Sequence, residues 1–238
     1  MKKILGHIRK ACEKYSMTED GDTIAVGVSG GKDSLLLLKA LCMYRRFAAQ
    51  SFSVKAITID ARFGGKDTDV SYISEMCAAL EVPHIVVPTD IGQIVFDVRK
   101  EPNPCSLCAK MRRGALIDAA KEAGCNVIAL GHNNDDVVET FMMNLFSEGR
   151  IGCFSPVTRY PDRGQKLIRP LVLATEKEIL SCCRRNGIVP LKSGCPADKH
   201  TSRQDMKLWL AERERTDRGF RKRIFGALER SGTDGWHE

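Results

Sequence analysis

The feature that most narrows the fold is a junction near the N-terminus. A short apolar, β-branched run, Thr23 to Val28, stops at Ser29-Gly30-Gly31-Lys32-Asp33-Ser34, and a leucine-rich helix is predicted from about Asp33. In a strand, glycine loop and helix joined this way, successive backbone N–H groups and the helix N-terminus present partial positive charge. The glycines admit close approach, and a lysine adds a full charge. A pyrophosphate group fits such a nest, so Ser29, Gly30, Gly31, Lys32, Asp33 and Ser34 are candidate phosphate-binding residues. The string is not a Walker A loop, because Val26 stands where the first glycine of that pattern belongs and Asp33 follows the lysine. It does not match GxGxxG either.

The same alternation continues along the chain. Residues 53–60 read as a strand, 68–80 as a helix, 84–89 and 126–131 as further strands. Strands alternating with helices predict an α/β fold, a doubly wound parallel sheet with helices on both faces. Ligands of such sheets sit beyond the carboxyl ends of the strands. Ser29, Asp60 and the run Gly131 to Asp136 all fall at such ends, so residues far apart in sequence are expected to share one site. From about residue 150 the pattern changes. IGCFSP and RYPDRGQK read as loops, RPLVLATEKEIL as a short extended piece entering a helix, and 202–230 as a basic, mostly helical tail.

Composition excludes some classes. With 43% hydrophobic and 28% charged residues, the chain is of ordinary globular make-up. It has no apolar run near the ~18 residues a membrane span needs. The N-terminal MKKILGHIRKACEKYS is interrupted by His7, Arg9 and Lys10 and reads as an amphipathic helix, not a signal peptide. Ten cysteines without such a signal predict a reducing, cytoplasmic setting. Cys12, Cys42, Cys77, Cys125, Cys182 and Cys183 read as buried small hydrophobes. The net charge of +7 arises from 37 basic against 30 acidic residues. The excess gathers in KMRR after Cys108 and in RERTDRGFRKR near the C-terminus, which serve either as contacts to a polyanion or as solvated helix faces.

Two further motifs carry chemistry. Gly131-His132-Asn133-Asn134-Asp135-Asp136 opens a helix after a strand, where paired carboxylates either hold Mg2+ through oxygen ligands or cap the helix. Cys105-Ser-Leu-Cys108 also opens a helix, whose dipole, with Lys110, Arg112 and Arg113, is expected to favour thiolates. A redox dithiol, a zinc site and an iron-sulfur cluster are the competing readings. Zinc would want four protein ligands, and no second CxxC is present.

Taken in order, residues 19–24, SGGKDS, NPCSLCAKMRRGAL at 103–116, GHNNDDVVETFMMNLF at 131–146 and IRPL at 168–171 resemble the tRNA 2-thiocytidine synthetase family of the PP-loop ATP pyrophosphatases. The resemblance covers roughly residues 1–200, the PP-loop domain, and leaves 201–238 as a helical C-terminal extension. It implies cleavage of ATP to AMP and pyrophosphate, adenylation of a base carbonyl (the C2 oxygen of an anticodon-loop cytidine) and its replacement by sulfur. On it, Ser29, Lys32 and Ser34 bind phosphate, Asp33 shapes the loop or binds magnesium, and Asp60, Gly131 and His132 belong to the nucleotide site. Asp136 is tied to Mg2+ and catalysis. Arg112 occupies a basic catalytic position that is lysine in some members.

Cys105, Cys108 and Cys195 then ligate a 4Fe-4S cluster. The family's second CxxC is incomplete here, since Lys192 stands where its first cysteine belongs, which leaves one iron free for sulfide. The implied partners are tRNA, reached through the basic segments and Lys192, Lys199, His200 and Arg203, and a sulfur donor such as a cysteine desulfurase or free sulfide. A homodimer is expected. The rival enzyme is an amidating PP-loop ligase such as tRNA lysidine synthetase, which needs none of the three cysteines. The non-enzymatic rival is an iron-sulfur or RNA-binding module that uses ATP only as a structural ligand.

Overall fold

Residues of period two along the first strand decide how the layers form. Ile24 and Val26 face one way and Ala25 the other, and all three are fully buried, so the strand is covered on both faces. The computed structural model describes residues 1–100, 104–192, 194–197 and 202–237. Its elements run α1 (Lys2–Lys14), β1 (Asp22–Gly27), α2 (Lys32–Tyr44), β2 (Phe52–Asp60), α3 (Ser71–Ala79), β3 (His84–Pro88), the short turn α4 (Ile91–Gln93), α5 (Pro104–Glu122), β4 (Val127–Ala129), α6 (Asn134–Ser147), β5 (Val157–Tyr160), β6 (Gln165–Ile168), α7 (Glu176–Arg185), α8 (Ser202–Thr216) and α9 (Phe220–Ser231).

The sheet has the order β3-β2-β1-β4-β6-β5, with every neighbouring pair parallel except β5 and β6. The chain leaves β1 for β2 on one side and later returns to place β4 on the other. The carboxyl ends of β1 and β4 therefore flank the point where the strand order reverses, and that is where a crevice opens in sheets of this class. Val26 stands opposite both Ala56 and Ala129, which brings the glycine loop level with Leu130 and Gly131. On one face Ile24 and Val26 pack with α1, α2 and α7. On the other, Ala25, Ile57, Ile128 and Leu167 meet Leu116, Ile117 and Ala120 of α5.

The hairpin β5–β6 corrects the expectation of a loop at 159–166. Pro161, Asp162 and Gly164 do form a turn, with Gly164 at φ 63°, but only between two four-residue strands too short to outweigh their punctuation in sequence. The helical tail is present as α8 and α9. It is no detached appendage: Leu210, Phe225, Leu228 and Trp236 belong to the main core, and the Trp236 indole donates to the Phe154 carbonyl at 3.0 Å. Among the described residues no helix is long and apolar enough to cross a membrane.

Candidate active site

The glycine loop is pre-formed by its own residues. Ser34 Oγ donates to the Gly31 carbonyl at 3.0 Å and accepts from the Ser29 amide at 3.2 Å, so the last serine of the motif folds the loop onto the first turn of α2. Gly30 adopts φ 79°, and a Cβ there would lie 2.9 Å from Leu191 Cδ1. Leu191 N in turn donates to the Gly30 carbonyl at 2.9 Å. The segment that continues to Lys192 and Cys195 is thereby docked on the phosphate loop.

A second helix N-terminus meets the first. Asn133 caps α6 by accepting from the amides of Asp135 and Asp136, and Asp136 returns a bond to the Asn133 amide at 2.9 Å, a reciprocal capping box. Asn133 Nδ2 also donates to Asp33 Oδ1 at 3.0 Å. Gly131 allows this approach, since a Cβ there would stand 3.0 Å from the Asp33 backbone. Asp136 thus caps the helix with one carboxylate oxygen while the other accepts from Arg203 at 3.2 Å, and the residue lines the crevice.

That crevice is a cavity of about 420 Å³. Ser29, Gly31, Asp33, Ser34, Gly131, His132, Asp136 and Arg112 line it, joined by Arg113 and Arg169 over an apolar floor of Ile57, Ile59, Leu116 and Leu130. Three expected residues are turned elsewhere. Gly30 faces Leu191. Lys32 Nζ is held between Asp33 at 2.8 Å and Glu176 at 3.1 Å, and although burial opposes its charge, these two carboxylates keep its pKa above the ordinary lysine value. Asp60 is buried at the end of β2, but its oxygens accept from the amides of Arg62 and Thr68 and from the Thr68 hydroxyl, so it shapes its own loop.

A charge network that sequence reasoning missed backs the aspartates. Arg203 reaches Asp136 at 3.2 Å and Glu139 at 3.8 Å, while Arg221 reaches Asp135 at 3.0 Å and Glu139 at 3.6 Å. Glu139 is buried, and burial first, then the nearby Asp136, push its pKa up to about 7. Asp136 is shifted upward too, chiefly by burial. Arg203 and Arg221 had been expected on the RNA-binding surface. Arg221 is mostly buried and Arg203 partly exposed, both paired with carboxylates of α6, and Arg223 pairs with Asp217. Exposed cations also line a neighbouring groove of about 930 Å³ between α7, α8 and α9, among them Lys177, Arg184 and Arg185. Lys199 and His200 lie outside the described residues.

Cys105 and Cys108 open α5 as predicted, and no disulfide forms among the described cysteines. Burial raises the pKa of both thiols, and the neighbouring thiols, Cys195 for each and also Cys105 for Cys108, add to it. Arg112 pulls Cys108 downward, as the expectation that nearby cations favour thiolates requires, without overcoming burial. The three thiols therefore sit within electrostatic reach of one another. Among the described residues no three His, Cys, Asp or Glu side chains converge tightly enough to hold a single ion. An iron-sulfur cluster takes each thiolate on a different iron, and an all-sulfur donor set fits it. Cys153 is buried in the other core layer with its thiol on the Val137 carbonyl and lies away from this group.

The PP-loop domain family matches residues 4–206. A protein named tRNA-cytidine(32) 2-sulfurtransferase from Geobacter sulfurreducens is 36% identical over 95% of this chain and 89% of its own length. The protein of the same name from Pelobacter propionicus is 36% identical over 93% and 82%. The chain belongs to the PP-loop family, in the group of these tRNA-cytidine(32) 2-sulfurtransferases. The U34-tRNA thiolase from Methanococcus maripaludis, solved with its 4Fe-4S cluster, shares the fold with a TM-score of 0.78 at 24% identity, covering 96% of this chain and 78% of that one. Arg169, which this PP-loop chain places in the cavity, lies in the quoted IRPL text. No local pattern marks it, because its partners Ser155, Thr158 and His132 lie 14, 11 and 37 positions away.

Proposed function

We infer that this chain is an ATP-dependent tRNA sulfurtransferase that adenylates the C2 oxygen of a cytidine, position 32 as in its relatives' names, and replaces that oxygen with sulfur. The observation that carries this is the docking of the cysteine-bearing segment on the phosphate loop, through Leu191 N and the Gly30 carbonyl, beside a cavity lined by both helix N-termini. The N-termini of α2 and α6 and the loop amides receive the phosphates of ATP. The apolar floor suits the adenine ring. Asp33 and Asp136 offer the carboxylate oxygens a hard divalent cation such as Mg2+ takes.

Oxygen at C2 is a poor leaving group, and transfer of AMP onto it makes displacement by a sulfur nucleophile feasible. Cys105, Cys108 and Cys195 would hold a 4Fe-4S cluster. When bound, it supplies an iron without a protein thiolate on which the transferred sulfur is carried. Arg112, on the helix that also bears both CxxC thiols, faces the cavity and orients the reacting groups by its fixed charge. An amidating ligase has no use for this thiol group. The RNA backbone is drawn to the Lys177, Arg184 and Arg185 side of the neighbouring groove, and a sulfur donor and a cytoplasmic, dimeric state complete the reading. The test is mass spectrometry of tRNA nucleosides from cells with and without the gene. Loss of 2-thiocytidine is expected, and unchanged 2-thiocytidine overturns the assignment.

A further inference from the structure

Arg169 poses a question that the sulfurtransferase reading leaves open. Its side chain is buried, it lines the cavity, and no carboxylate pairs with it among the described residues. Its Nη1 donates to the Ser155 carbonyl at 2.6 Å and, more weakly, to Thr158 Oγ1 at 3.4 Å, and its plane lies over the Phe154 ring at 4.8 Å. Its Nε donates to His132 Nδ1 at 3.2 Å. A buried cation without an anion of its own is costly. A ligand that brings the anion relieves that cost, and Arg112 and Arg113 line the same cavity.

The Arg169–His132 bond fixes more than position. A guanidinium can only donate, so the nitrogen it meets must carry a lone pair. Nδ1 of His132 is therefore unprotonated, and in the neutral ring the proton resides on Nε2. A second proton on Nδ1 would face the guanidinium directly. Burial first and then Arg169, Arg203 and Arg113 push the imidazole pKa down to about 3, in accord with this geometry. The Phe154 ring supports one side of the imidazole, with centroids 4.8 Å apart. Nε2 has no protein partner among the described residues, and the half-buried ring lines the cavity.

We propose that Arg169 is a positioning residue that locks His132 in its neutral, Nε2-protonated tautomer, and that His132 uses that N–H as a fixed donor to an anionic phosphoryl oxygen bound in this cavity. The tautomer follows from the protein alone. The identity of the oxygen, on the nucleotide that activates the base, rests on the sulfurtransferase reading. A neutral imidazole here stabilises charge on oxygen and does not protonate it, so proton transfer falls to other groups.

Two measurements test this on the intact protein. Nitrogen-15 NMR of histidine-labelled protein at neutral pH reads the tautomer without tRNA, ATP or a cluster. His132 is expected with Nδ1 at the imine-type position and Nε2 at the pyrrole-type position, and Arg169→Met is expected to release this preference. The opposite tautomer in the wild-type protein overturns the proposal, as does an unchanged His132 signal in a folded Arg169→Met variant.

The second measurement compares His132→Gln, whose amide can replace the Nε2 donor, with His132→Leu, which cannot. A thermal melt checks that both are folded. Loss of one donor to a developing oxyanion costs on the order of 100-fold in kcat, so His132→Leu should lose about that much in tRNA-dependent pyrophosphate release. His132→Gln should recover most of it, with KM for ATP changed little in either. Equal losses in both variants overturn the donor role even if Arg169→Met fails to fold. A wild-type protein that shows the expected tautomer but thiolates no tRNA refutes the functional reading and leaves the tautomer lock standing.

Discussion

Replacing Arg221 by methionine removes one guanidinium from a network with one other, Arg203, and three carboxylates, and its cost should depend on pH. Arg221 is mostly buried, as are its partners Asp135 at 3.0 Å and Glu139 at 3.6 Å. At an effective dielectric constant of 20, unit charges about 4 Å apart attract by about 4 kcal/mol, and Arg203 at 3.8 Å retains part of the balance for Glu139. At pH 6 Glu139, with its pKa raised to about 7, already carries a proton. The variant then loses chiefly the charged hydrogen bond to Asp135, about 2 kcal/mol.

At pH 8.5 the wild-type Glu139 is ionised, and removing its cation leaves a buried charge, which brings the loss to about 4 kcal/mol. The sign follows from linkage. A carboxyl whose folded pKa exceeds its unfolded value binds its proton more tightly in the native state, so its contribution to stability falls as pH rises from about 4.5 through about 7. Without Arg221 that fall extends further up the scale. Urea unfolding of wild type and Arg221→Met at pH 6 and pH 8.5 measures both values. Equal losses at the two pH values, or a loss under about 1 kcal/mol at pH 8.5, would refute the buried network.

Three other outcomes are expected. Lys32→Ala should cut tRNA-dependent pyrophosphate release by about 100-fold with little change in thermal melting, because Lys32 pairs with Asp33 of the cavity lining and lies outside the core; calorimetry with ATP and a melt read the two effects. Cys105→Ser, Cys108→Ser and Cys195→Ser should each lower the iron and sulfide content of anaerobically prepared protein while ATP binding persists, whereas Cys42→Ser, buried in the core, should leave the iron content unchanged. Arg184→Glu with Arg185→Glu should weaken binding across tRNAs and flatten the fall of affinity with salt, measured by filter binding at several ionic strengths; an unchanged salt slope would return both residues to the role of solvated charges.

The centre of the sheet and half of the site were legible because they obey local rules. β1 to β4 announce themselves as β-branched runs, and the loop from Ser29 to Ser34 contains its own hydrogen-bonding partners. Legibility stopped where an interaction joins residues distant in sequence. Nothing near Arg169 indicates that its Nε will meet His132, 37 positions away, and nothing near Arg221 indicates Asp135, 86 positions away. Charge pattern alone grouped Arg203 and Arg221 with the basic segments, although a buried carboxylate in the second turn of a different helix pairs with both. Asp60 was rightly placed at a strand end, but which way a carboxylate turns there depends on loop amides that only the fold brings near.

The contact between Gly30 and Leu191 bears on how such a chain can change. The glycine has left-handed backbone and no room for a side chain, because the leucine fills that space while its amide bonds to the glycine carbonyl. Positions 30 and 191 therefore cannot vary independently. A bulkier residue at 191 would displace the phosphate loop, and a smaller one would leave a void beneath it, so a change at either place selects for a compensating change at the other. The lineage of the cysteine-bearing segment is tied to that of the loop, and grafting one without the other into a related scaffold would transfer neither function.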